Sequence, residues 1–257
     1  MTDIYEDILL NAIQLARQAG IVHMSHFRKA GLGVEAKLNE SDIVTVSDKE
    51  AERVIIDGIT ALYPGHSILS EESGRHDSPS DFRWVIDPLD GTTNFSSGLP
   101  AFSVSIGVKH KGETIVGVVY APYLNELFTA VKGCGAMLNG EPISPRRNAL
   151  LERAVVATGF PVDKNVNPDN NMDNLGRVLP LVRGVRRLGS AALDLSYVAA
   201  GFLDAYWECN LHRWDVCAGL LIVSEAGGRW RSYRDDRNVS VVAASPDIFD
   251  AFAPLIR

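Results

Sequence analysis

A stretch of twelve residues from Trp84 to Phe95, WVIDPLDGTTNF, constrains the fold of this chain more than any other. Its first three residues are apolar and predict the end of a buried strand, with Asp87 at the tip. Pro88 is expected to stop the sheet ladder because it has no N–H to donate. Gly91 allows backbone angles that a side chain would forbid, and the polar residues after it suit the first turn of a short helix.

This arrangement places two carboxylates, Asp87 and Asp90, three residues apart in a tight turn that is followed by backbone N–H groups. Carboxylate oxygens in such a turn can hold Mg²⁺, and N–H groups at a helix start can hold a phosphate. A site that does both indicates metal-assisted phosphate chemistry. Taken alone, Asp-x-x-Asp-Gly is also a common way to build a turn that has no further role.

The bulk properties exclude several classes of protein. A length of 257 residues suits one large domain or two coupled ones, and the net charge of −7 argues against a nucleic-acid surface. Anionic substrates stay possible because bound Mg²⁺ would reverse the local field. The three cysteines lack metal-site spacing and fit free thiols in a reducing cytosol. The polar N-terminus and the lack of a long apolar run predict a cytoplasmic protein without a signal peptide or membrane span.

The first half predicts helices followed by an antiparallel sheet. Apolar residues at helical spacing predict a first helix that ends near Phe27, and a capping box of Ser47 and Glu50 predicts a second helix from Ser47. Residues 37–44 predict a hairpin or mobile loop. A short strand over 68–70 delivers Glu71 and Glu72 at its end, and 74–81 is expected to be a polar loop. From 102 to 131 the apolar period is two, which predicts a meander of three strands.

The second half, from about Pro145, resembles an alternating α/β pattern. Ser190 is expected to cap an apolar helix that runs through Ala200, and Trp214 with Asp215 is expected to open another over 216–226. The remaining predicted elements are strands over 154–158, 185–188, 204–208 and 239–243, and helices over 168–181 and 248–256.

The twelve-residue motif resembles the core motif of the inositol monophosphatase family, a group of Mg²⁺-dependent, lithium-sensitive phosphatases. Further acids at Asp48, Glu71 and Asp215 stand where the pattern of that family places acids. Each acid alone has a structural explanation, such as complementing a helix dipole, but together they favour the phosphatase pattern. The resemblance covers nearly the whole chain. It implies a layered αβαβα sugar-phosphatase fold, with an N-terminal α+β domain over 1–144 that carries most metal ligands and a C-terminal α/β domain over 145–257.

The resemblance also implies a ligand set for two or three Mg²⁺ ions. The implied ligands are four carboxylates and one backbone carbonyl, from Glu71, Asp87, Leu89, Asp90 and Asp215. In that pattern Asp87 bridges the first two ions, and a third, weaker ion is bound near Glu71 mostly through water. Lys37 matches a flexible-loop residue near this third ion. Four crowded carboxylates repel one another, so we expect metal binding to be tight and pH-dependent.

The same resemblance implies catalytic and substrate-binding roles. A metal-bound water is the expected nucleophile, and Glu71 can take its proton. The hydroxyl of Thr92 orients this water and is itself hydrogen-bonded to Asp48. The implied substrate contacts come from both halves of the chain: Asp90, Gly91, Thr92, Gly189, Ser190, Ala191, Glu208 and Asp215. We expect Glu72 to have a structural or outer role. His212 is also interpreted as structural or substrate-side, because Mg²⁺ prefers oxygen. No pairing for a covalent nucleophile is evident.

These features lead to one expected function with alternatives. The expected substrate is a small phosphate monoester, myo-inositol 1-phosphate. The rivals within the class are a fructose-1,6-bisphosphatase, a 3'-phosphoadenosine 5'-phosphate phosphatase and a histidinol-phosphatase. Ser70 stands where many inositol phosphatases have Gly, which weakens the substrate assignment. A regulatory binding protein that retains the fold is the alternative outside enzymes. A homodimer is expected from the resemblance alone.

Overall fold

The computed structural model describes residues 3–37 and 43–257 of the chain. Within these ranges there are seven α-helices: α1 Asp3–His26, α2 Val46–Leu62, α3 Thr92–Ser96, α4 Met172–Val178, α5 Ala191–Ala199, α6 Arg213–Glu225 and α7 Pro246–Phe252. A small hairpin pairs β1 Glu35–Ala36 with β2 Ile43–Val44 in antiparallel fashion. This confirms the predicted hairpin; its turn, with Asn39, Ser41 and Asp42, lies outside the described residues.

Two larger sheets divide the described chain between them. The first has eight strands: β3 Ser67–Ser70, β4 Gly74–His76, β5 Phe82–Asp90, β6 Ser103–His110, β7 Glu113–Ala121, β8 Glu126–Val131, β9 Ala136–Leu138 and β10 Glu141–Pro142. It is antiparallel except where β3 runs parallel to β5. The second has five strands: β11 Val155–Thr158, β12 Gly184–Arg186, β13 Ala205–Leu211, β14 Arg229–Arg234 and β15 Val239–Ala244. In the second sheet β11 is parallel to both β12 and β13.

The helices and sheets alternate in five layers, which confirms the expected αβαβα order. One face of the first sheet buries residues such as Trp84 and Ile106 against α1 and α2. The middle layer of α5 and α6 packs between the two sheets, in a core that includes Phe128 and Tyr206. The outer face of the second sheet buries Trp207 against α7. None of the described helices is long and apolar enough to cross a membrane.

Small residues on β6 and β7 allow α6 to lie directly on the first sheet. A Cβ added at Gly107 would lie 2.5 Å from Sγ of Cys217, and one at Gly117 would lie 2.8 Å from the carbonyl oxygen of Ala218. Both distances are shorter than van der Waals contact, so a larger residue at either position would push the helix away. The alternation of large and small residues in β6 therefore serves two buried faces, one of which is closed by a helix from the other half of the chain.

Most predicted elements are confirmed, and four details are wrong. Helix α2 begins at Val46 with a capping box of Thr45 and Asp48, not of Ser47 and Glu50. Strand β5 continues past Pro88, after a register shift, to pair Asp90 with Ser103. The loop predicted over 74–81 contains β4, and the helix predicted over 168–181 begins only at 172. Strand β14 was not predicted, since its charged sequence lies at the edge of the second sheet.

His23 joins α1 to the central motif through two buried hydrogen bonds. Its Nε2 lies 2.7 Å from the carbonyl oxygen of Pro88, and its Nδ1 lies 2.8 Å from Oγ of Ser47. Because a carbonyl only accepts, Nε2 must carry the proton and Nδ1 must accept from the serine hydroxyl. Burial lowers the pKa of His23 to about 4. The imidazole is therefore neutral in the folded protein across the pH range in which an exposed histidine titrates.

We predict that His23 makes the folded protein less stable as the pH falls from about 6.5 toward 4. In that range the unfolded chain binds a proton at His23 and the folded chain does not, so protonation favours unfolding. The lowering of the pKa from 6.5 to about 4 corresponds, at its full extent, to a loss of about 3 kcal/mol in the free energy of unfolding. Urea unfolding of the parent and of the His23→Gln variant at several pH values should show this loss as a difference between the two proteins, because the buried carboxyl groups that titrate in the same range are present in both. The His23→Gln variant should lack it, because the amide keeps a donor for Pro88 and does not titrate. An unchanged pH dependence in the variant would contradict the prediction.

Candidate active site

The turn after β5 carries two of the predicted acids and requires a glycine between them and α3. Gly91 has a φ of 95°, and a Cβ there would lie 3.0 Å from the carbonyl oxygen of Ala101. Asp87 is buried, and its Oδ1 accepts a hydrogen bond of 2.9 Å from the N–H of Leu89. Asp87 and Asp90 are both buried beside the start of α3, although the strand continues past Pro88 to Asp90.

Asp48 connects the start of α2 to Thr92. Its Oδ2 accepts from both the N–H and the hydroxyl of Thr45, at 2.8 and 2.5 Å. Its Oδ1 lies 3.0 Å from Oγ1 of Thr92, which is also 3.0 Å from the carbonyl oxygen of Leu89. Burial, partly offset by these hydrogen bonds, raises the pKa of Asp48 to about 6. The structure therefore contains the Thr92–Asp48 hydrogen bond that the resemblance implied.

Asp90 is held by the first turn of α5, which comes from the other half of the chain. Its Oδ2 accepts from the hydroxyl of Ser190 at 2.6 Å and from the N–H of Ala192 at 2.7 Å. Ser190 does stand at the N-cap of α5 as predicted, but its hydroxyl does not cap that helix. It binds Asp90 instead, so a residue predicted from a local pattern makes a long-range contact.

Asp215 lies in the first turn of α6. The helix begins at Arg213, one residue before Trp214, which was predicted to open it. Oδ2 of Asp215 accepts a hydrogen bond of 2.7 Å from the N–H of His212. The His212 ring stacks on Trp214 with 4.7 Å between ring centres and 10° between planes. His212 therefore shapes this turn with its backbone and its ring.

Glu71 and Glu72 both form an ion pair with the same lysine. Nζ of Lys37 lies 2.8 Å from Oε1 of Glu71 and 2.5 Å from Oε1 of Glu72. The backbone N–H groups of Glu72 and Ser73 both donate to Oε1 of Glu52, at 3.1 and 3.0 Å. Burial raises the pKa of Glu72 to about 7. These hydrogen bonds and ion pairs hold the two glutamates in place, and they bring Lys37 beside Glu71.

One cavity of about 200 Å³ collects most of the predicted site residues. Its walls include Glu71, Asp87, Leu89, Asp90, Gly91, Thr92, Gly189, Ala191, Glu208, His212 and Asp215. Asp48, Ser190 and Lys37 do not line it, although each makes a hydrogen bond to a residue that does. The walls also include Val162, Arg187, Leu211 and Trp214, which were not predicted. Of these four residues, only Arg187 could have been found from the sequence, because it is a basic residue two positions before Gly189.

The carboxylates of the cavity raise one another's pKa. Burial and then the charges of neighbouring acids raise the pKa of Asp87 and Asp215 well above the usual range. The pKa of Asp90 rises to about 6, since burial outweighs its three hydrogen bonds. Among the described residues, no group of three or more His, Cys, Asp or Glu side chains is arranged so that it could hold a metal ion as it stands. The donors still fit a hard cation in kind, because they are crowded, buried carboxylate oxygens.

Glu208 faces the cavity because residue 159 is a glycine. A Cβ at Gly159 would lie 2.0 Å from Oε2 of Glu208, so any side chain there would displace the carboxylate. The same Oε2 accepts a hydrogen bond of 2.7 Å from the hydroxyl of Tyr206. Burial raises the pKa of Glu208 to about 7. Glu208 thus adds a fifth carboxyl to the cavity beside those of Glu71, Asp87, Asp90 and Asp215.

A loop over 159–171 forms one wall of the cavity and is tied to the β14–β15 hairpin by arginines. Arg237 donates to both carboxylate oxygens of Asp163, at 2.9 and 2.8 Å, and to the carbonyl oxygen of Asp169 at 2.7 Å. Asn171 fixes the end of the loop, with Nδ2 donating 2.7 Å to the carbonyl oxygen of Gly159. Since Val162 lies beside Asp163 and lines the cavity, Arg237 positions a wall of the site from outside it.

Comparisons with known proteins agree with this geometry. Residues 5–254 match the sequence model of the inositol monophosphatase family. The chain is 42% identical to the Nus factor SuhB of Salmonella typhimurium over 97% of this chain and 96% of that protein. Among solved structures it resembles the extragenic suppressor protein SuhB of Bartonella henselae, with a TM-score of 0.91, 36% identity and 98% of each chain covered. It also resembles the inositol monophosphatase of Anabaena, with a TM-score of 0.86, 37% identity, and 98% and 95% of the two chains covered.

We predict that Arg237→Ala loosens the loop over 159–171. The variant loses a two-pronged ion pair and a bond to a carbonyl, which are charge-assisted contacts. Amide hydrogen exchange in 161–169 should become about tenfold faster or more, while Asn171 should keep the end of the loop protected. Mass spectrometry of exchanged peptides measures this. Arg229→Ala is the matched control, because Arg229 lies on the same hairpin but pairs with Asp250, outside the loop. Equal exchange in both variants would mean that Arg237 does not hold the loop.

Proposed function

The chain belongs to the inositol monophosphatase family, and on that premise we propose that it is a Mg²⁺-dependent phosphatase of small phosphate monoesters, with myo-inositol 1-phosphate as its substrate. The observation that carries the proposal is the single cavity that joins Glu71, Asp87, Asp90 and Asp215 to the turn at Gly91. Crowded carboxylates that raise one another's pKa suit a polyvalent cation. The adjoining backbone N–H groups of Gly91 and Thr92 suit a phosphate.

The proposed metal ligands are the residues that the family resemblance assigned. They are the side chains of Glu71, Asp87, Asp90 and Asp215 and the carbonyl of Leu89, for two or three ions. Bound there, Mg²⁺ would supply positive charge to the phosphate oxygens and lower the pKa of the attacking water. Lys37 forms an ion pair of 2.8 Å with Oε1 of Glu71, and the carboxylate keeps further lone pairs that an ion could use. Inhibition by lithium belongs to the same proposal.

Thr92 can act on the attacking water only as a hydrogen-bond acceptor. Its single hydroxyl proton is directed to Oδ1 of Asp48 or to the carbonyl oxygen of Leu89, each 3.0 Å away. The lone pairs on Oγ1 then face the cavity and can accept an O–H of the water. This would turn a lone pair of the water toward the phosphorus, while Glu71 accepts the second proton. Asp48 therefore has a positioning role, because it fixes the hydroxyl of Thr92.

Glu208 is the proposed contact for the alcohol part of the substrate. It lies on β13 and lines the cavity, and burial raises the pKa of its carboxyl to about 7. A carboxyl group can pair with substrate hydroxyls, which an apolar wall could not do. Gly189 and Ala191 line the cavity nearby, and their backbone groups are the other proposed contacts for hydroxyls. These contacts favour a polyol, and they also allow the other sugar phosphates named above.

Other parts of the proposal rest on the family alone. A homodimer is the proposed assembly. The rival substrates are fructose 1,6-bisphosphate, 3'-phosphoadenosine 5'-phosphate and histidinol phosphate. A non-enzymatic regulatory role is the alternative, since the Salmonella relative is named as a Nus factor rather than as an enzyme. An intact set of acids in one cavity favours the enzyme over this alternative.

The deciding experiment is phosphate release from a panel of substrates. We expect the full chain with Mg²⁺ to hydrolyse myo-inositol 1-phosphate faster than the three rival substrates. Excess chelator should reduce the rate to background and added Mg²⁺ should restore it, because the acids bind cations rather than attack phosphorus. Lithium should inhibit. Full turnover in chelator would refute the metal site, and a lack of turnover on every substrate would favour the binding-protein alternative.

We predict that Glu208→Gln separates binding of the alcohol from hydrolysis of the phosphate. The variant keeps the volume and removes the charge, so kcat/KM for inositol 1-phosphate should fall about tenfold or more. A simple aryl phosphate has no hydroxyls for Glu208 to bind, so its hydrolysis by the same variant should change little and serves as the internal control. Steady-state kinetics on both substrates measures the ratio. An equal fall on both would place Glu208 outside the substrate pocket.

A further inference from the structure

Basic side chains line a cleft outside the catalytic cavity, although the net charge of the chain is −7. Two adjoining cavities of about 490 and 550 Å³ share Arg213 and Val239 in their walls. The smaller one, which we call the arginine cavity, is lined by Arg75, Arg83 and Arg213, and the larger one also has Lys109. Among the described residues that line either cavity there is no Asp or Glu. A cleft with one sign of charge raises the local concentration of anions.

Two of these guanidinium groups converge on one point. Nε of Arg75 lies 2.7 Å, and Nη2 of Arg83 lies 2.9 Å, from the same oxygen, Oδ1 of Asp77. The side chains of Arg75 and Asp77 are more than half exposed, so a ligand can reach this point from solvent. Each guanidinium has five N–H donors, and the contacts with Asp77 use only a fraction of them. Arg213 forms no ion pair with an acidic side chain in the described ranges. The cavity can therefore accept the oxygens of a phosphate.

Apart from Asn238, the other walls of the arginine cavity are apolar and aromatic. Leu69, Leu211 and Val239 line it, together with the stacked pair of His212 and Trp214. A volume of about 490 Å³ is within the range of pockets that hold small organic ligands. An inorganic anion would leave these apolar walls in contact with water. The geometry fits a ligand that joins a charged group to a flat ring, since rings stack on aromatic faces and on guanidinium planes.

We propose that the arginine cavity is a second binding site, for a phosphate monoester that carries a flat ring and has the size of a mononucleotide. The phosphate is held by Arg75, Arg83 and Arg213, and the ring lies against Trp214. This site adjoins the catalytic cavity and shares Leu211, His212 and Trp214 with it, but its three arginines do not line that cavity. Asp77 acts as an internal competitor, because its carboxylate occupies the point at which the two guanidinium groups meet.

The test uses the full chain in excess chelator, with adenosine 5'-monophosphate as the probe. Isothermal titration measures the binding, and excess chelator removes any contribution from metal in the catalytic cavity; the variants described below assign the binding to the arginine cavity. We expect saturable binding of the monophosphate, and binding of adenosine and of inorganic phosphate that is at least about tenfold weaker, because each keeps only one set of contacts. Equal affinity for inorganic phosphate would refute the ring contact. A lack of saturation below about 10 mM would refute the site.

Three variants and one control assign the binding to these residues. Arg83→Gln and Arg213→Gln should each weaken binding about tenfold. Asp77→Asn should tighten it several-fold, since it releases two guanidinium groups without removing a donor from the cavity. Arg229→Gln is the control, because Arg229 forms a similar exposed pair with Asp250 away from the cavity, and its affinity should not change. Melting temperatures show whether each variant is folded. Unchanged affinity in all three variants, or binding of a single-stranded oligonucleotide but not of the monophosphate, would overturn the proposal.

Discussion

The repulsion between carboxylates in one buried cavity is the constraint on which the rest of this structure depends. Burial alone makes each charge costly, and neighbouring charges of the same sign add to the cost. Backbone N–H groups from turns and helix starts offset part of this cost by donating hydrogen bonds to the carboxylates. The N–H of Leu89 reaches Asp87, that of Ala192 reaches Asp90, and that of His212 reaches Asp215. Each donor lies where a helix or turn has an N–H that its own backbone bonds do not use.

The layered packing brings these donors together. Helices α5 and α6 form the middle layer, and both begin at the cavity. The position of α6 depends on Gly107 and Gly117, which leave room for Cys217 and Ala218 on the first sheet. A methyl group at either glycine would move the helix whose first turn contains Asp215. The core of the protein thus sets distances in the site, although the two glycines touch no site residue.

Sequence reasoning predicted the parts of the site that local chemistry decides. Gly91 and the start of α3 after it were predicted correctly, because the φ of 95° at this position favours glycine. Pro88 was expected to end the strand, but β5 continues to Asp90 after a register shift. The start of α2 was placed wrongly, because Ser47 with Glu50 and Thr45 with Asp48 both have the spacing of a capping box. Packing chooses between them, since the hydroxyl of Ser47 binds the buried His23.

The residues that sequence reasoning missed reach the cavity through tertiary contacts. Val162 lies on an irregular loop that Arg237 holds from a distant hairpin, and nothing in its local sequence indicates a pocket. Strand β14 was missed because edge strands do not need an apolar face on both sides, and its arginines hide the period of two. The layers themselves were predictable from the family resemblance and from the change of apolar period near the middle of the chain.

The structural and functional interpretations of the acids turn out not to be alternatives. Asp48 and Asp215 are both third residues of their helices, and each accepts a capping bond from the N-cap backbone. A carboxylate has two oxygens with about four lone-pair sites, so one capping bond leaves capacity for another partner. In Asp90 the same oxygen, Oδ2, accepts from both Ser190 and Ala192. The capping bonds therefore fix the direction of each carboxylate, and a cation would meet oxygens that are already oriented by the helices they cap.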